Sequence, residues 1–549
     1  MIQKDKWKEL DKETIVFALF LFSMAVYYGW RMFALTPWYD ELYTYYYFIS
    51  RGPFYAAIHW PLPNNHVGYS VLSAVFDWTG SSAVGLRGVS YLASLGCLLL
   101  LYWIGRRCFT KGIALVLPCL FASMNLVNQM AVQGRGYALT TFLYLSAFCA
   151  LWKIVACGDK RLRVYILFGA SLVWSLYTLA SSIYFVLPLC VTGGIALLCS
   201  KRFRDFWQLV GISLLSAICT VGLYGIIWLA IGSNLLSKTE GGAYFGMGHV
   251  QIILHAPFTA AKTGIEYMLD TPYIQSVSRQ GYLPRLGSFI RTLFNYYFNG
   301  LAYLLIGIAV IGLAAVVSRL IFQYRSCATK QNRELTEIEK VKWDTCFMEW
   351  YLLISFLLTP LMLIIQAALP YYRVFSYFGV AMALMITWLV SQVTGVVCSK
   401  KTSVIYKKIA LVVSLIAVLI VAIALFLPRA YIPYSARETA IEAAYRAVDI
   451  SHYDKIAVAD CDQEYLLKYM YGLDMESDRN VRLTTAIEDA DCVLLDRDLL
   501  LPEGHFVTRD SIGDWWKFYV TKDTLPMEYL EECMQAVYEN KRFVFYERK

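Results

Sequence analysis

The sequence predicts a polytopic α-helical membrane protein that ends in a small soluble α/β domain, and three observations lead there. Hydrophobic residues make up 58% of the 549 and charged residues 16%, with a mean hydropathy of +0.49, a balance that excludes an ordinary soluble enzyme. Apolar runs of membrane-crossing length recur through residues 1–428. After Pro428 the composition turns soluble and the apolar spacing becomes that of short strands and helices.

A helix covers a hydrocarbon core of about 30 Å with about 20 apolar residues. That ruler gives spans near 14–35, 84–105, 112–128, 136–156, 164–180, 182–199, 208–231, 299–321, 349–369, 374–397 and 409–427, about eleven crossings. Basic residues gather in alternate loops: Lys4 to Lys12, Arg106 and Arg107 with Lys111, Lys160 to Arg163, Lys201 to Arg204, Arg325 to Lys342, and Lys400 to Lys408. The positive-inside rule makes these loops cytoplasmic, which places the N-terminus inside and residues 429–549 outside a cell membrane. The same loops account for the net charge of +8, so membrane lipids are expected partners and nucleic acid is not. No small-residue cleavage pattern follows the first apolar run, which therefore reads as a retained helix. Aromatic residues near segment ends, among them Trp30, Trp38, Tyr39 and Tyr45 to Phe48, read as anchors in the headgroup layer.

Two outer loops are too long to be simple connectors. Residues 36–83 hold aromatic, moderately apolar stretches at Glu41 to Ser50 and Val67 to Trp78 that suit helices lying along the membrane surface. Residues 232–298 hold Gly241 and Gly242, a helical stretch from Val250 to Leu269, and the charges Glu266, Asp270, Arg279, Arg285 and Arg291, a composition suited to roofing a site. In the tail, helices are expected at Arg437 to Val448, Gln463 to Tyr471 and near Met527 to Glu539. Strands are expected at Lys455 to Asp460, Asp491 to Leu495, Phe518 to Thr521 and Arg542 to Tyr546. Neither of the first two strands is followed by a Gly-rich phosphate loop.

Chemistry is most concentrated in Trp38-Tyr39-Asp40-Glu41-Leu42, just beyond the first span. Adjacent carboxylates there are the best catalytic candidates, against the plainer readings of loop solvation or helix capping. Arg87, Arg135 and Arg373 each stand at the outer end of a predicted span, where a guanidinium can hold two oxygens of a phosphate or simply snorkel. His59 and His66 near the acidic pair raise a metal site, although two isolated histidines are more often hydrogen-bonded structural residues. The fourteen cysteines include no CxxC pair and read as packing residues, with the pairing of Cys461, Cys492 and Cys533 left open.

One ordered set of features carries a resemblance: a span, then W-Y-D-E at 38–41, H-W-P-L-P-N-N-H at 59–66, G-L-R-G at 85–88 and Q-G-R-G-Y-A-L at 133–139. In this the chain resembles the GT-C superfamily of membrane glycosyltransferases, and most closely its protein-mannosyltransferase and lipid A aminoarabinose-transferase branch. The resemblance is specific over residues 14–140 and loose beyond. It implies transfer of a sugar from a polyprenyl-phosphate carrier on the outer face to a glycolipid, polymer or protein acceptor, with no cofactor beyond that donor. It assigns the catalytic acid to Asp40, completes the family's Asp-Glu pair with Glu41, and places Arg135 and Tyr137 at a donor-binding turn. Gln133 stands where many relatives have glutamate. Arg373 resembles the arginine that opens a late helix, and Asn65 and His66 fall in the stretch after the acidic helix, suited to sugar hydroxyls or, for Asn65, to capping.

Elementary chemistry agrees with that assignment. Attack of a hydroxyl on an anomeric carbon requires a base, for which Asp40 is placed, whereas a phosphate leaving group needs no second carboxyl to protonate it. The expected outcome is inversion. A divalent cation on the two carboxylates stays open. A transporter or flippase is the non-enzymatic alternative, disfavoured by span centres nearly free of charge and by the lack of an internal repeat. A scaffold acting through residues 429–549 is the other, and it leaves the loop motifs unexplained.

Overall fold

The computed structural model describes residues 12–59, 64–109, 113–237, 248–270, 281–328, 346–398, 412, 416, 431–473, 482–501 and 516–549. Its helices run α1 Lys12–Ala34, α2 Tyr39–Tyr47, α3 Pro53–Ile58, α4 Val67–Asp77, α5 Ser82–Cys108, α6 Val116–Ser123, α7 Asn125–Met130 and α8 Tyr137–Val155. They continue as α9 Leu162–Thr178, α10 Ile183–Cys199, α11 Phe203–Ser237, α12 His249–Asp270, α13 Tyr282–Tyr297, α14 Ala302–Ala328, α15 Phe347–Gln366 and α16 Phe378–Cys398. Among the described residues eight helical segments are long and apolar enough to cross a membrane. They fall on eight of the predicted spans, and the run at 164–180 forms the shorter apolar helix α9.

The span expected at 112–128 is not one helix. It divides into α6 and α7 at Met124, whose backbone is extended (φ −69°, ψ 128°). Past the break, in α7, Asn128 accepts from Arg31 and from the Tyr431 hydroxyl (2.6 Å), and Gln129 exchanges two hydrogen bonds with the backbone of Ile432 (2.7 and 3.1 Å). The run is apolar enough to enter a membrane, but its far end is committed to partners elsewhere in the fold. Gly241, Gly242, Arg279, residues 60–63, most of three of the six basic loops and, apart from residues 412 and 416, the span expected at 409–427 fall outside the described residues.

Helix α11 has 35 residues, about 52 Å of helix, so it outruns a hydrocarbon core of about 30 Å. Helix α12 runs back along it in the opposite sense. Gly232 lies against the backbone of Ala260 and Gly264 against that of Trp228, approaches that leave no room for a Cβ. Residues Ile227 and Ile231 of α11 pack with Val67 at the start of α4, so the hairpin stands beside the first loop.

The C-terminal domain places α17 (Ala436–Val448), α18 (Cys461–Tyr471) and shorter helices around five strands: β1 Lys455–Ala457, β2 Arg482–Thr484, β3 Cys492–Asp496, β4 Met534–Glu539 and β5 Phe543–Arg548. The order is β2-β1-β3-β5-β4, parallel across β2, β1 and β3 and antiparallel from β3 onward. All five residues of β3 are buried, as its apolar run predicts for a central strand. Two expectations change. Residues 534–539 are a strand and not the end of a helix, because Asn540 bonds to the N–H groups of Arg542 (2.9 Å) and Phe543 (2.8 Å) and turns the chain into a hairpin with β5. Phe518 makes only an isolated bridge to Asp460, not a strand. Cys461, Cys492 and Cys533 are all free thiols.

The domain does not stand apart from the bundle. Leu42 of α2 is fully buried in the same apolar cluster as Ile441, Leu466 and Phe545, a burial of about 1.5–3 kcal/mol for one leucine. Trp38 and Tyr39, expected in the membrane interface, are buried instead: Trp38 lies 4.6 Å from the ring of Tyr434 and Tyr39 lies 4.1 Å from that of Trp516.

Candidate active site

Successive helical side chains project about 100° apart, and at the start of α2 this sends Asp40 and Glu41 to different surroundings. Glu41 is 1% exposed and faces α5. Arg87 donates to it twice, Nε to Oε1 at 2.9 Å and Nη2 to Oε2 at 3.0 Å, and the N–H of Gly134 also donates to Oε1. The remaining Arg87 nitrogen donates to the carbonyls of Leu35 (2.6 Å) and Met32 (3.1 Å). Every nitrogen of this guanidinium thus has a protein acceptor. The pair joins the end of α1, the start of α2, the second turn of α5 and the turn at residues 131–136.

Asp40 turns the other way and is the accessible carboxylate, with its side chain 20% exposed. Arg373 Nη2 donates to its Oδ2 at 3.2 Å, and Arg135 Nη2 stands 4.0 Å from the same oxygen. Arg373 also donates from Nε to the Tyr137 hydroxyl at 2.7 Å. Its guanidinium sits among aromatic rings, 4.8 Å from Trp38, 4.6 Å from Tyr371 and 5.2 Å from Tyr434, contacts that hold a desolvated cation by its charge and its plane. The chain reaches this position through a left-handed turn at Ala367 (φ 51°), where the Tyr282 hydroxyl donates to the carbonyls of Leu363 (2.6 Å) and Ala368 (3.3 Å).

Arg135 is buried, and Nη1 donates to Thr44 Oγ1 (2.6 Å), the carbonyl of Asn64 (2.9 Å) and the carbonyl of Asp40 (3.2 Å). Its Nε is buried with no hydrogen-bond partner among the described residues. Burial draws Arg135 below the ordinary arginine range, with Asp40 opposing it. The turn that carries it is pinned from α5, where Ser90 Oγ donates to the carbonyls of Gln133 (2.5 Å) and Arg135 (3.2 Å) and Ser94 Oγ to that of Ala131 (2.7 Å).

His66 closes the floor. Gly136 N–H donates to its Nδ1 at 2.8 Å, and Arg135 Nη2 lies 3.1 Å from its Nε2. Two donors meet a ring that has one lone pair when neutral and none when protonated. Burial, then Arg135 and Arg373, accordingly push His66 well below its ordinary range. Asn65 is buried and donates to the carbonyls of Ala56 (2.9 Å) and His59 (2.6 Å), and the residue at the cap position of α4 is His66. The Oδ1 of Asn65 and the Oε1 of Gln133 are buried without partners among the described residues.

The structure thus gathers Asp40, Arg135, Tyr137, His66 and Arg373 in one place, with Asn65 at the edge, while Glu41 and Arg87 stand behind them as a closed pair. Thr44, the N–H groups of Gly134 and Gly136, and Tyr434 also belong to the site. The two glycines had a signal in Q-G-R-G, where bare backbone can approach a carboxylate or an imidazole. Tyr434 had none, since it lies nearly 400 positions beyond α2 in sequence.

No family model matches the chain, and no curated protein matches it. Among solved structures the chain is similar to the archaeal oligosaccharyltransferase AglB from Archaeoglobus fulgidus in complex with an inhibitory peptide and a dolichol-phosphate. That likeness has 11% identity and a TM-score of 0.42, and covers 84% of this chain and 64% of that one. It is also similar to an oligosaccharyltransferase of Archaeoglobus fulgidus in complex with zinc and sulfate, at 14% identity and a TM-score of 0.41, covering 85% of this chain and 62% of that one. The chain therefore spans less than two thirds of the length of each of these structures.

Proposed function

We propose that the chain is an inverting glycosyltransferase of the GT-C type, which moves a sugar from a polyprenyl-phosphate carrier to a hydroxyl of a glycolipid, polymer or protein at the outer membrane face. The observation that carries this reading is the contrast between adjacent carboxylates. Glu41 is closed off by Arg87, whereas Asp40 is open to a substrate and flanked by two guanidiniums. In the reaction Asp40 takes the acceptor's hydroxyl proton while that oxygen forms its bond to the anomeric carbon. The bond from that carbon to the phosphate oxygen breaks, and its electrons leave with the lipid phosphate. Arg373 and Arg135 are the cations placed to receive the growing charge, and Arg135 Nε is a donor still without a partner. Tyr137 holds Arg373, and His66, neutral, separates Arg135 from the backbone of Gly136 without adding a third positive charge. Arg87 and Glu41, buried and bonded to each other, act as frame.

Among the described residues no group of three or more His, Cys, Asp or Glu side chains gathers as a metal site. The two carboxylates present face guanidiniums, a donor set that does not fit a divalent cation, so no step is routed through one.

The test is release of free polyprenyl phosphate by purified protein from a panel of polyprenyl-phosphate sugars, hexosyl and pentosyl, with membrane-extract acceptors. Wild type is expected to turn over one donor. Asp40→Asn, which keeps the size and removes the base, is expected to lose at least about 10²-fold in kcat with donor binding retained. Equal activity in the two proteins would remove Asp40 from the mechanism.

A further inference from the structure

The C-terminal domain packs α18, the helix that follows β1, along the helix that carries Asp40: the ring of Tyr46 lies 5.5 Å from that of Tyr465 and the ring of Tyr45 lies 6.1 Å from that of Tyr469. The Tyr39 hydroxyl is 3.6 Å from Cys461 Sγ at the start of α18, its ring is against Trp516, and Leu42 enters the domain's core.

Buried charge fixes the contact. Asp460, just past β1, caps α18 by accepting from the N–H groups of Asp462 and Gln463 (both 3.1 Å), and Arg437 bridges Asp460 and Asp462. That bridge locks the first turn of α17, and the next residue, Glu438, reaches across to α2. Glu438 is 3% exposed and its Oε1 accepts from the backbone N–H of Tyr39 at 2.7 Å. Tyr39 opens α2, so its N–H is one of the donors that a helix cannot satisfy within itself. The preceding residue, Trp38, supplies no side-chain cap.

We infer that Glu438 is a positioning residue for Asp40: from the C-terminal domain it caps the first turn of α2 and so fixes the direction in which Asp40 projects. The inference rests on the proposed role of Asp40 in the transferase reaction. It gives residues 429–549 a part in assembling the site. One turn further along α17, Glu442 accepts from Thr36 Oγ1, which docks the same two parts of the chain without touching the first turn of α2.

The experiment compares Glu438→Ala, Glu438→Gln and Glu442→Ala in the full-length protein, reading kcat and donor KM together with hydrogen exchange of residues 39–47. Glutamine retains an acceptor for the Tyr39 N–H, whereas alanine does not. If the inference holds, Glu438→Ala lowers kcat by about 10²-fold, the scale expected when a catalytic group is misplaced by about 1 Å. Its donor KM should stay within about threefold, Glu438→Gln should restore turnover, and Glu442→Ala should stay within about threefold of wild type. An active wild type with Glu438→Ala equally active, or with Glu442→Ala equally damaged, overturns the inference and leaves the transferase reading standing. Should wild type turn over no donor, the transferase reading fails, and exchange alone decides the placement. Loss of protection over residues 39–47 in Glu438→Ala but not in Glu442→Ala supports the capping, and unchanged protection overturns it.

Discussion

On α2, Glu41 has both oxygens on Arg87, and Asp40 has one oxygen on Arg373 and near Arg135. The difference sets what each substitution does. Glu41→Gln keeps the volume but leaves the Arg87 charge buried without its counter-ion, a loss of about 3 kcal/mol or more. A clear fall in the thermal unfolding temperature of the detergent-solubilised protein is the expected result. Asp40→Asn, in a partly exposed position, should shift that temperature less. The double variant Glu41→Gln/Arg87→Met should recover part of the loss, because replacing both members of a buried pair by groups of similar volume is often close to neutral. The sequence could point to this acidic pair but not divide it. Adjacent letters look equivalent until the helical rotation and the opposing Arg87, 46 residues away, are known.

Among elements, the turn between α7 and α8 shows how little space the site has. A Cβ at Gly134 would stand 2.5 Å from Leu86 Cδ1 and 3.0 Å from Glu41 Oε1. Gly134→Ala must therefore displace a fully buried leucine or the buried ion pair, an overpacking cost of about 1–3 kcal/mol. Gly211→Ala in the interior of α11, where a Cβ meets nothing within 4 Å, should be neutral or slightly stabilising. Thermal unfolding of the two variants side by side checks the contrast. Elements whose stability is local were legible in advance: the long apolar runs of α5, α8 and α14, and the helix from Val250 to Leu269, now α12. Elements decided by distant partners were not. The run at 112–128 reads as a span because its polar residues are few, and the partners of its far end, Arg31 and Tyr431, lie 97 and 303 positions away from Asn128. The sequence at 534–539 likewise suits a helix until β5 pairs with it.

For the molecule as a whole, buried titratable groups at the junction of bundle and domain give stability an opposed pH dependence. Burial, followed by the charge of Asp462, pushes Glu438 up to about 8, against an ordinary value of 4.5. The folded protein therefore holds a proton that the unfolded chain releases. Stability from this group is full below the ordinary value and is lost as pH rises through about 8. His66 has the opposite sign. Its folded value lies below the ordinary 6.5, so its contribution is present above that pH and is lost as pH falls. Above about pH 6.5 the His66 contribution is complete while that of Glu438 is still being lost, and the unfolding temperature should fall between about pH 6.5 and 8.5. Glu438→Gln, which cannot release a proton, should flatten the slope, and thermal scans at three pH values across the interval measure it.

The bond from Tyr39 to Glu438 joins residues 399 positions apart. At a synthesis rate of about 5–20 residues per second, about 20–80 s pass between the emergence of one and of the other. Throughout that interval α2 has neither its cap nor the apolar cover of Leu42. A chain released early keeps its first helices and the Glu41–Arg87 pair yet cannot close this contact. Completion of translation thus becomes a condition for the finished site, and a prematurely terminated chain leaves in the membrane a bundle whose first loop still lacks its partner.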